Sequence, residues 1–335
     1  MKNKNFWNKK NVLITGITGF VGSNLAKNLI ANNANVTGIS KSKKVESLLF
    51  FENIDKKCNL VFGNIIDKDL IQNTIRKYNI EICFHLAAQI EVGYAKLYPF
   101  ETWESNVRGT YNLLEAIRTC GKKIKAVIIA SSDKAYGEYG IKRMPYKENY
   151  ELKPLFPYDT SKACADMIAK SYTSQLYNLP IIVTRFSNIF GPGQLNFTAL
   201  IPGAIKSCIL NYKFISRSNG KSIRDYIYIN DIVDVYKLLA QNLFRFPKKY
   251  SGEVFNAGTN KKYTTKYIVE KIFLQNNKNA KNIFKNYKKT QGEILIQYMD
   301  YKKLNNFFNW KPKYRFEQVL PDLIAWYKNY LSKNK

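Results

Sequence analysis

The sequence predicts an α/β protein with a doubly wound parallel sheet, followed by a smaller C-terminal α/β lobe. Two observations carry this prediction. Short apolar runs alternate with amphipathic stretches over residues 12–184, and a glycine-rich turn at residues 16–22 joins the first apolar run to the first amphipathic stretch. Strands that alternate with helices in this way indicate a parallel sheet covered by helices.

The predicted elements follow in order along the chain. Residues 12–15 form the first apolar run, and apolar residues at helical spacing from 20 to 30 predict the first helix. Beyond Phe190, Gly191-Pro192-Gly193 breaks the pattern, and the looser segment after it predicts the second lobe. Apolar runs predict the other strands at 35–39, 60–62, 80–86, 126–130 and 181–184, and amphipathic stretches predict helices near 69–78, 101–119 and 160–177.

Charge and hydropathy argue against a nucleic-acid or membrane partner. The 335 residues carry 53 Lys and Arg against 25 Asp and Glu, a formal net charge of +28. Because the basic residues are scattered rather than clustered, we expect no nucleic-acid partner. No apolar window approaches the roughly 18 residues of a membrane span, and the N-terminal segment lacks the apolar core of a signal peptide. We therefore expect a cytoplasmic protein.

Histidine and cysteine usage predicts no metal site. The chain has a single histidine, His85, which excludes sites built on two or three imidazoles. Its five cysteines lie far apart without a C-x-x-C pair, and they predict neither a thiolate zinc site nor a disulfide framework. We interpret His85, at a predicted strand end, as a packing or loop-orienting residue.

The glycine turn predicts a dinucleotide-binding site. Gly16, Gly19 and Gly22 stand at G-x-x-G-x-x-G spacing between a predicted strand and a predicted helix. Such a turn lets backbone N–H groups approach a pyrophosphate at the positive end of the helix. The spacing differs by one residue from the G-x-G-x-x-G fingerprint, but the strand before it and the helix after it supply the required context.

The end of the second predicted strand leaves the choice between NAD and NADP open. An acidic residue that would hold the adenosine ribose is expected about 20 residues after the turn. The chain instead has Ser40 followed by Lys41, Ser42, Lys43 and Lys44. Lys41 or Lys43 could meet a 2′-phosphate, or either could be an ordinary surface lysine.

Tyr158 and Lys162 form a possible proton-transfer pair. They stand four residues apart at the start of a predicted helix and so share a face. We expect the ammonium to lower the pKa of the phenol from about 10 toward neutrality, which would make it a usable base. The same spacing recurs at Tyr267/Lys271 and Tyr298/Lys302, where an exposed pair is the simpler interpretation.

The position of the first pair distinguishes it from the other two. It lies one helix after the strand predicted at 126–130, whose carboxyl end carries Ser131-Ser132-Asp133-Lys134. In an open α/β sheet, ligands bind beyond the carboxyl ends of the strands. Tyr158 and Lys162 are therefore expected beside a ligand.

Taken together, these motifs resemble the extended short-chain dehydrogenase/reductases, the NAD-dependent epimerase/dehydratase family, that act on nucleotide sugars. The resemblance covers nearly the whole chain and implies a Rossmann-type fold. It implies that Ser132 binds the reacting hydroxyl, that Tyr158 exchanges its proton, and that Lys162 holds the nicotinamide ribose. The motifs are the glycine turn, His85-Leu86-Ala87-Ala88, Asn106-Val107-Arg108-Gly109-Thr110, Ser132, Tyr158-x-x-x-Lys162 and Arg224-Asp225-Tyr226-Ile227-Tyr228.

Asp133 and Lys134 connect the chain to the 4,6-dehydratases of that family. These enzymes usually carry an Asp-Glu pair after the Ser or Thr, with glutamate as the base for the C5 proton, so Lys134 is a departure. Asp133-Lys134 followed by Ala135-Tyr136 is similar to the CDP-glucose 4,6-dehydratase branch, which uses NAD. The alternative for this pair is a surface ion pair of little energetic value.

The resemblance also implies ligand-binding residues. Asn64 stands where relatives usually have an aspartate that contacts adenine. Asn188 and Arg224 match positions that hold the substrate diphosphate, and Asn256 matches another substrate-side position; each could equally be structural. The implied cofactor residues are Gly16, Thr18, Gly19, Phe20, Val21, Gly22, Ser40, Asn64, Ile65, Leu86, Ala87, Ala88, Asn106, Tyr158 and Lys162.

These expectations lead to a nucleotide-sugar 4,6-dehydratase with internally recycled NAD, acting on CDP-glucose or a similar sugar. The alternatives are a 4-epimerase or 4-oxidoreductase on the same scaffold, and a non-catalytic Rossmann protein that binds nucleic acid. Residues 1–186 with 223–258 are expected to bind NAD(P), and 187–222 with 259–335 to bind the nucleotide sugar. Many relatives are homodimers, and the helices near 101–119 and 160–177 are candidates for that interface.

Overall fold

The computed structural model describes residues 5–216, 218–281, 283–284 and 294–334. The chain divides into two compact units. The first unit comprises the residues up to 137 together with 151–185 and 233–255. The second unit comprises 138–150, 186–232 and the residues from 256 onward.

Strands and helices alternate in the N-terminal half of the chain. The strands are β1 (Asn11–Thr15), β2 (Asn35–Ser40), β3 (Asn59–Phe62), β4 (Ile82–His85), β5 (Ala126–Ala130), β6 (Ile181–Phe186), β7 (Asn188–Phe190), β8 (Ile223–Arg224), β9 (Tyr226–Tyr228), β10 (Val254–Ala257), β11 (Tyr263–Thr264) and β12 (Ile296–Gln297). The α-helices are α1 (Phe20–Ala31), α2 (Leu48–Phe51), α3 (Lys68–Lys77), α4 (Val92–Leu97), α5 (Pro99–Trp103), α6 (Gly109–Cys120), α7 (Pro157–Ser171), α8 (Leu200–Leu210), α9 (Ile229–Arg245), α10 (Pro247–Tyr250), α11 (Thr265–Gln275), α12 (Lys302–Phe308) and α13 (Phe316–Lys333). A π-helical turn at Glu104–Arg108 joins α5 to α6, and 3₁₀ turns lie at Asp55–Lys57, Asp133–Tyr136 and Ile141–Arg143.

The first unit is built on a seven-stranded sheet in the order β10-β6-β5-β4-β1-β2-β3. The strands from β1 to β6 pair in parallel. The chain proceeds outward from β1 in both directions, which confirms the predicted doubly wound, Rossmann-type sheet. The register places Thr15 beside His85. The carboxyl ends of β1 and β4 therefore lie side by side at the point where the strand order changes direction.

The core of the first unit comes from strands that are buried on both faces. Leu13, Ile14, Phe84 and Ile128 are fully buried. Such continuous apolar burial is typical of a parallel sheet with helices on both sides. Each fully buried aliphatic or aromatic side chain contributes about 1.5–3 kcal/mol. This packing fixes the strand ends that carry the polar residues described below.

Two element boundaries differ from the sequence prediction for local reasons. The helix predicted near 160–177 is α7, which begins at Pro157 and ends at Ser171. Its end is followed by a turn in which Asn178, with φ of 52°, donates to the Ser174 carbonyl. The strand predicted at 80–86 begins only at Ile82. The Ile80 amide donates to the Ile75 carbonyl, so Ile80 belongs to the turn that ends α3.

The second unit contains small sheets between helices. In one, β8 pairs antiparallel with β11 and parallel with β12; in the other, β7 pairs in parallel with β9. None of the helices in the part of the chain described here combines the length and apolar character needed to cross a membrane.

The boundaries of this unit differ from the predicted ones. Residues 138–150 and 223–232 belong to it, whereas the prediction placed both in the first domain. The reason is strand and loop pairing: β8 hydrogen-bonds with β11 and β12, and the Tyr146 amide donates to the Tyr298 carbonyl. The Asn256 amide also donates to Glu148.

Candidate active site

The glycine turn is shaped by backbone packing. Gly16 has φ of +72°, and a Cβ built on it would lie 2.8 Å from the Ala87 backbone nitrogen. A Cβ on Gly22 would lie 2.3 Å from the Gly16 carbonyl oxygen. Both positions therefore require glycine. Gly19 is the N-cap of α1 and is less crowded, since its Cβ would meet only the Gly16 oxygen, at 3.1 Å.

The start of α1 suits an anionic ligand. Within the described residues no side chain caps this end, and the first turn, which includes Phe20, Val21 and Gly22, contains no acidic residue. The N–H groups of a first helical turn have no intrahelical partner, and the helix dipole favours negative charge there. The turn thus fits the pyrophosphate of a dinucleotide.

Ser40 ends β2 next to the glycine turn. Its hydroxyl lies 2.7 Å from the Thr18 hydroxyl and donates to the Ser42 carbonyl at 2.9 Å. Ser40 is buried, whereas Lys41 and Lys43 are exposed. The Lys43 ammonium lies 5.6 Å from the centre of the Phe50 ring. This strand end therefore offers neutral hydroxyls rather than a carboxylate.

The segment after β4 is held by side-chain hydrogen bonds. The amides of Leu86 and Ala87 both donate to the Thr15 hydroxyl, at 3.2 and 3.1 Å. Ala88 follows and is half-buried. Asn106 accepts from the Gln89 amide at 2.7 Å and donates to the Ser161 hydroxyl at 2.8 Å, so it ties this segment to α7.

Asn64 and Ile65 follow β3. The Asn64 side chain accepts from the Ile66 amide at 3.3 Å. Ile65 is buried, and a Cβ on Gly109 would lie 2.6 Å from its Cγ2. Asn64 is therefore a loop-shaping residue in this structure, and Ile65 packs against α6.

His85 is a fully partnered core residue. Its Nδ1 lies 2.8 Å from the Thr15 hydroxyl and its Nε2 lies 3.1 Å from the Thr110 hydroxyl. Burial, together with the nearby Lys162 charge, lowers the pKa of His85 to about 3. The ring is therefore neutral, and its contacts agree with the packing role expected from the sequence.

Ser132 and Tyr158 meet at the carboxyl end of β5. Ser132 is the N-cap of the 3₁₀ turn at Asp133–Tyr136, where its hydroxyl accepts from the Lys134 amide at 3.2 Å. The same hydroxyl donates to Asp133 at 3.1 Å. Tyr158, in the first turn of α7, is hydrogen-bonded to Ser132. The structure thus brings these residues together as the sequence predicted.

The pKa of Tyr158 departs from the expected lowering. Burial raises it, the charge of Asp159 and any charge on Asp133 raise it further, and the hydrogen bond with Ser132 only partly offsets this. The phenol is buried, and desolvation disfavours its charged form. Lys162 is not among the groups that shift this pKa, so Tyr158 is a neutral phenol in this structure.

Lys162 lies one helical turn after Tyr158. Its ammonium donates to the Ala130 carbonyl at 2.9 Å, and burial lowers its pKa to about 8. A lysine ammonium has three donors. Two donors beyond the Ala130 contact can therefore reach ligand hydroxyls, as the nicotinamide ribose would supply.

A further carboxylate, which sequence reasoning missed, lies beside Asp133 and Lys134. Asp159 is only 3% exposed, although it stands in the first turn of a helix, where an acidic residue is normally a solvated N-terminal charge. Asp133 is 6% exposed, which rules out the surface ion pair considered for it. The only sequence signal for Asp159 was its place directly after Tyr158.

The second unit contains a cavity of about 590 Å³ whose walls include Asn188 and Arg224. Arg224 donates to the Ile223 carbonyl at 2.9 Å, and Asn188 donates to the Asp225 carbonyl at 3.2 Å. Gln194 also lines the cavity, and its buried Oε1 has no hydrogen-bond partner among the described residues. Sequence reasoning missed Gln194, which follows the Gly-Pro-Gly break and matches no motif.

Asp225 braces the loop that carries Arg224. Its carboxylate accepts from the amides of Thr259 at 2.9 Å and Asn260 at 3.2 Å. Burial raises its pKa to about 6, against the opposing effect of these hydrogen bonds. The sequence motif contained Asp225 but gave no sign that it is a buried structural acceptor.

Asn256 is not among the residues that line this cavity. It is fully buried, and its side chain donates to the Tyr146 carbonyl at 3.2 Å. These contacts support the structural alternative for Asn256 rather than the substrate-binding role.

Metal-binding geometry is absent from the described ranges, which contain no group of three or more His, Cys, Asp or Glu side chains placed to hold an ion. The donors that the structure does assemble are hydroxyls, a phenol, an ammonium and backbone amides. These suit a dinucleotide and a polyhydroxylated substrate.

Comparisons with known proteins agree with this assembly. A CDP-glucose 4,6-dehydratase from Salmonella typhimurium is 30% identical over 345 residues, which cover 99% of this chain and 94% of that protein. A dTDP-glucose 4,6-dehydratase from Bacillus anthracis, solved in complex with NAD, matches with a TM-score of 0.83 and 30% identity, over 96% of this chain and 97% of that one. A UDP-glucose 4-epimerase from Thermotoga maritima, solved with UDP-glucose, matches with a TM-score of 0.85 and 26% identity, over 96% and 99%.

The model of one family, described as GDP-mannose 4,6 dehydratase, matches residues 13–323. This match spans the glycine turn, the Ser132–Tyr158–Lys162 group and the cavity of the second unit. The chain therefore belongs to the GDP-mannose 4,6 dehydratase family of NAD-dependent nucleotide-sugar enzymes.

Proposed function

We propose that this chain is an NAD-dependent nucleotide-sugar 4,6-dehydratase that converts CDP-glucose, or a close relative, to a 4-keto-6-deoxy sugar. The observation that carries the proposal is the group at the end of β5, where Ser132 contacts Tyr158 and Asp133 adds a buried carboxyl. The 30% identity with a CDP-glucose 4,6-dehydratase over nearly the whole chain supports the sugar nucleotide.

The first unit is proposed to hold NAD. The α1 turn would bind the pyrophosphate, Ser40 and Thr18 the adenosine ribose, and Lys162 the nicotinamide ribose. NAD held there would supply a hydride acceptor and donor and a positive nicotinamide ring. A positive charge near the phenol would favour the tyrosinate form, which burial alone disfavours. The relative solved with NAD supports this cofactor.

Tyr158 is proposed as the base for the C4 hydroxyl proton. Its hydrogen bond to Ser132 places the two hydroxyl groups so that one substrate hydroxyl can contact both. Removal of this proton, together with the hydride acceptor that NAD would supply, would give a 4-ketone, which acidifies the C5 proton. General acid–base catalysis of this kind contributes about 10²–10⁴-fold to a rate.

Asp133 is proposed as the acid for the C6 hydroxyl. After a general base removes the C5 proton, the C–H electron pair forms the C5–C6 double bond and the C6–O bond breaks. The leaving oxygen takes the Asp133 proton and departs as water. The same base would return a proton to C5 while the hydride is delivered to C6, so that the cofactor would end as it began.

In the second unit, Asn188 and Arg224 are proposed to bind the substrate diphosphate. Both line the cavity of about 590 Å³, which is large enough for a nucleotide. The planar arginine fork stays charged and binds oxyanions through two bonds. For Asn256 we propose a structural role, because its side chain donates to the Tyr146 carbonyl.

We further propose that the protein is a homodimer in the cytoplasm. Large apolar side chains are exposed along α5 to α7: Phe100, Trp103, Tyr111 and Met167 are 71%, 46%, 39% and 64% exposed. Exposed apolar groups at helical spacing indicate a protein interface. The five cysteines are free thiols, which suits a reducing compartment.

Product analysis tests the function. Purified protein with NAD is mixed separately with CDP-, UDP-, GDP- and dTDP-glucose, and the products are examined by NMR and mass spectrometry. A 4-keto-6-deoxy sugar, lighter by one water and formed without net reduced cofactor, is the expected product. An epimer, which the resemblance to the UDP-glucose 4-epimerase allows, or accumulating reduced cofactor would replace the dehydratase with that activity.

A further inference from the structure

Asp159 is a buried carboxylate without the contacts that such a group normally has. It is 3% exposed, and its Oδ1 is buried with no hydrogen-bond partner within the described residues. Burying an ionised carboxylate is costly unless it is paired or hydrogen-bonded. Buried polar groups left in this state call for a functional explanation.

The charges around Asp159 come from two neighbouring elements. Burial raises its pKa to about 6, the Lys134 charge opposes this rise, an ionised Asp133 would add to it, and the Lys96 charge opposes it. Lys96, on α4, is exposed, and its ammonium lies 4.9 Å from the centre of the Phe156 ring. Lys134 and Asp133 belong to the 3₁₀ turn that packs against α7.

The cluster therefore consists of two buried carboxyl groups and the ammonium of Lys134. An ammonium beside Asp133 alone would favour the ionised form of that acid. An ionised Asp133 cannot protonate a leaving hydroxyl. A second carboxylate near the same ammonium offsets its field, and two neighbouring carboxyl groups cannot easily both lose their protons.

We propose that Asp159 is a positioning residue for the elimination step: its carboxylate offsets the charge of Lys134, so that Asp133 keeps the proton that it gives to the leaving C6 oxygen. This inference rests on the proposed dehydratase function. Tyr158, a further titratable group beside Asp133, has already taken the C4 proton at this step and is neutral, so it does not alter this balance.

The test uses Asp159→Asn, which removes the charge at nearly constant shape. In single turnover, C4 oxidation appears as a rise in absorbance at 340 nm, and elimination with hydride return appears as its decay. We expect the rise to be within about 2-fold of wild type, and the decay at pH 7.5 to slow by about 10-fold for each unit by which the Asp133 pKa falls. The decay should recover as the pH is lowered.

The control variants separate this role from a structural one. Asp69→Asn removes an exposed acidic residue from the first turn of α3 and should leave both phases unchanged. Without the Lys134 charge, nothing in this cluster favours the ionised form of Asp133, so Asp133 should keep its proton with or without Asp159. Adding Asp159→Asn to Lys134→Met should therefore slow the decay by less than about 2-fold, a strong departure from additivity.

Two results would overturn the inference. One is an equal slowing of the decay by Asp159→Asn in the wild-type and Lys134→Met backgrounds, and the other is a pH profile that does not move. A wild-type protein that gives no 340 nm transient with any nucleotide sugar would instead refute the proposed function. In that case urea unfolding of wild type, Asp159→Asn, Lys134→Met and the double variant still measures the coupling between Asp159 and Lys134. The changes in the free energy of unfolding should be non-additive.

Discussion

Helix α7 carries two buried aspartates with opposite surroundings. Asp166 is fully buried and accepts from Arg185 at 2.7 and 3.0 Å. Arg185 also donates to the Tyr136 hydroxyl at 3.0 Å, and its guanidinium lies 4.8 Å from the centre of that ring. Asp159 lies two turns earlier and is 3% exposed. Its Oδ1 has no hydrogen-bond partner within the described residues, and the charges that act on it include those of Lys134 and Lys96.

This difference separates structure from chemistry on one helix. A buried carboxylate in a bidentate pair is satisfied, and removing one partner leaves the other charge stranded. A buried carboxylate with an oxygen that accepts no hydrogen bond costs stability, so the presence of Asp159 beside Tyr158 indicates a functional role. The two residues should therefore respond to substitution in opposite ways.

The largest effect is expected at Tyr158, the phenol next to Asp159. Tyr158→Phe should lower kcat by about 10²–10⁴-fold, because the substituted ring has no group to take the C4 proton. Steady-state product formation measures this loss. Tyr172→Phe is the matched control: it ends the same helix, its hydroxyl donates to Glu115 at 2.6 Å, and it should keep near-normal turnover. Equal losses in both variants would contradict the assignment.

Asp166→Ala should cause the largest loss of stability, about 3–5 kcal/mol in the free energy of unfolding, because it removes the carboxylate that pairs with the buried Arg185 charge. Urea denaturation measures it. The double variant Asp166→Leu with Arg185→Met removes both charges and should recover most of the loss. A single variant as stable as wild type would show that the pairing of Asp166 with Arg185 does not stabilise the fold.

His85 provides a third buried titratable group, one that is satisfied while neutral. Its folded pKa of about 3 lies below the unfolded value of about 6.5, so only the unfolded state takes up a proton between these pH values. Its contribution to stability is present above pH 6.5 and is lost as the pH falls, by about 2 kcal/mol at pH 5.

NMR of the histidine ring checks this prediction without ambiguity, since the chain has one histidine. The ring carbon signals of labelled protein should keep neutral-imidazole shifts down to about pH 4.5, above the folded pKa. A titration midpoint near pH 6.5 in the folded protein would contradict the buried, neutral ring.

The smallest expected effect is the stability change of Asp159→Asn. The folded pKa of about 6 lies above the unfolded value of about 3.9, so ionisation of Asp159 reduces wild-type stability as the pH rises through this window. We expect the variant to be more stable than wild type by about 1–2 kcal/mol at pH 7.5, with the difference shrinking towards pH 4. A variant that is less stable at pH 7.5 would show that Asp159 resembles Asp166 after all.

The regular part of the fold could be predicted because its signals are local. The strands and helices of the first unit follow from apolar periodicity, and Gly16 and Gly22 follow from a turn that tolerates no Cβ. The boundary at residues 138–150 could not, because it depends on pairing between Tyr146 and Tyr298, which are far apart in sequence. An isolated bridge of this kind leaves no periodic signal in the sequence.

Residue type and spacing predicted the Tyr158 and Lys162 pair but not the chemistry of its surroundings. The raised pKa of Tyr158 and the absence of a hydrogen-bond partner for the Asp159 Oδ1, within the described residues, depend on burial, which is a tertiary property. Asn256 was expected either to contact substrate or to be structural, and in this structure its side chain donates to the Tyr146 carbonyl. An amide suits either role, so its type alone does not distinguish them.

Transfer of a label within the sugar tests the dehydratase assignment most directly. CDP-glucose carrying deuterium at C4 is incubated with the protein and NAD, and the product is examined by NMR. We predict a 4-keto-6-deoxy sugar with the deuterium at C6, because the hydride taken from C4 is returned there. Deuterium found at C4 of an epimerised sugar, or lost to reduced cofactor in solution, would contradict the assignment.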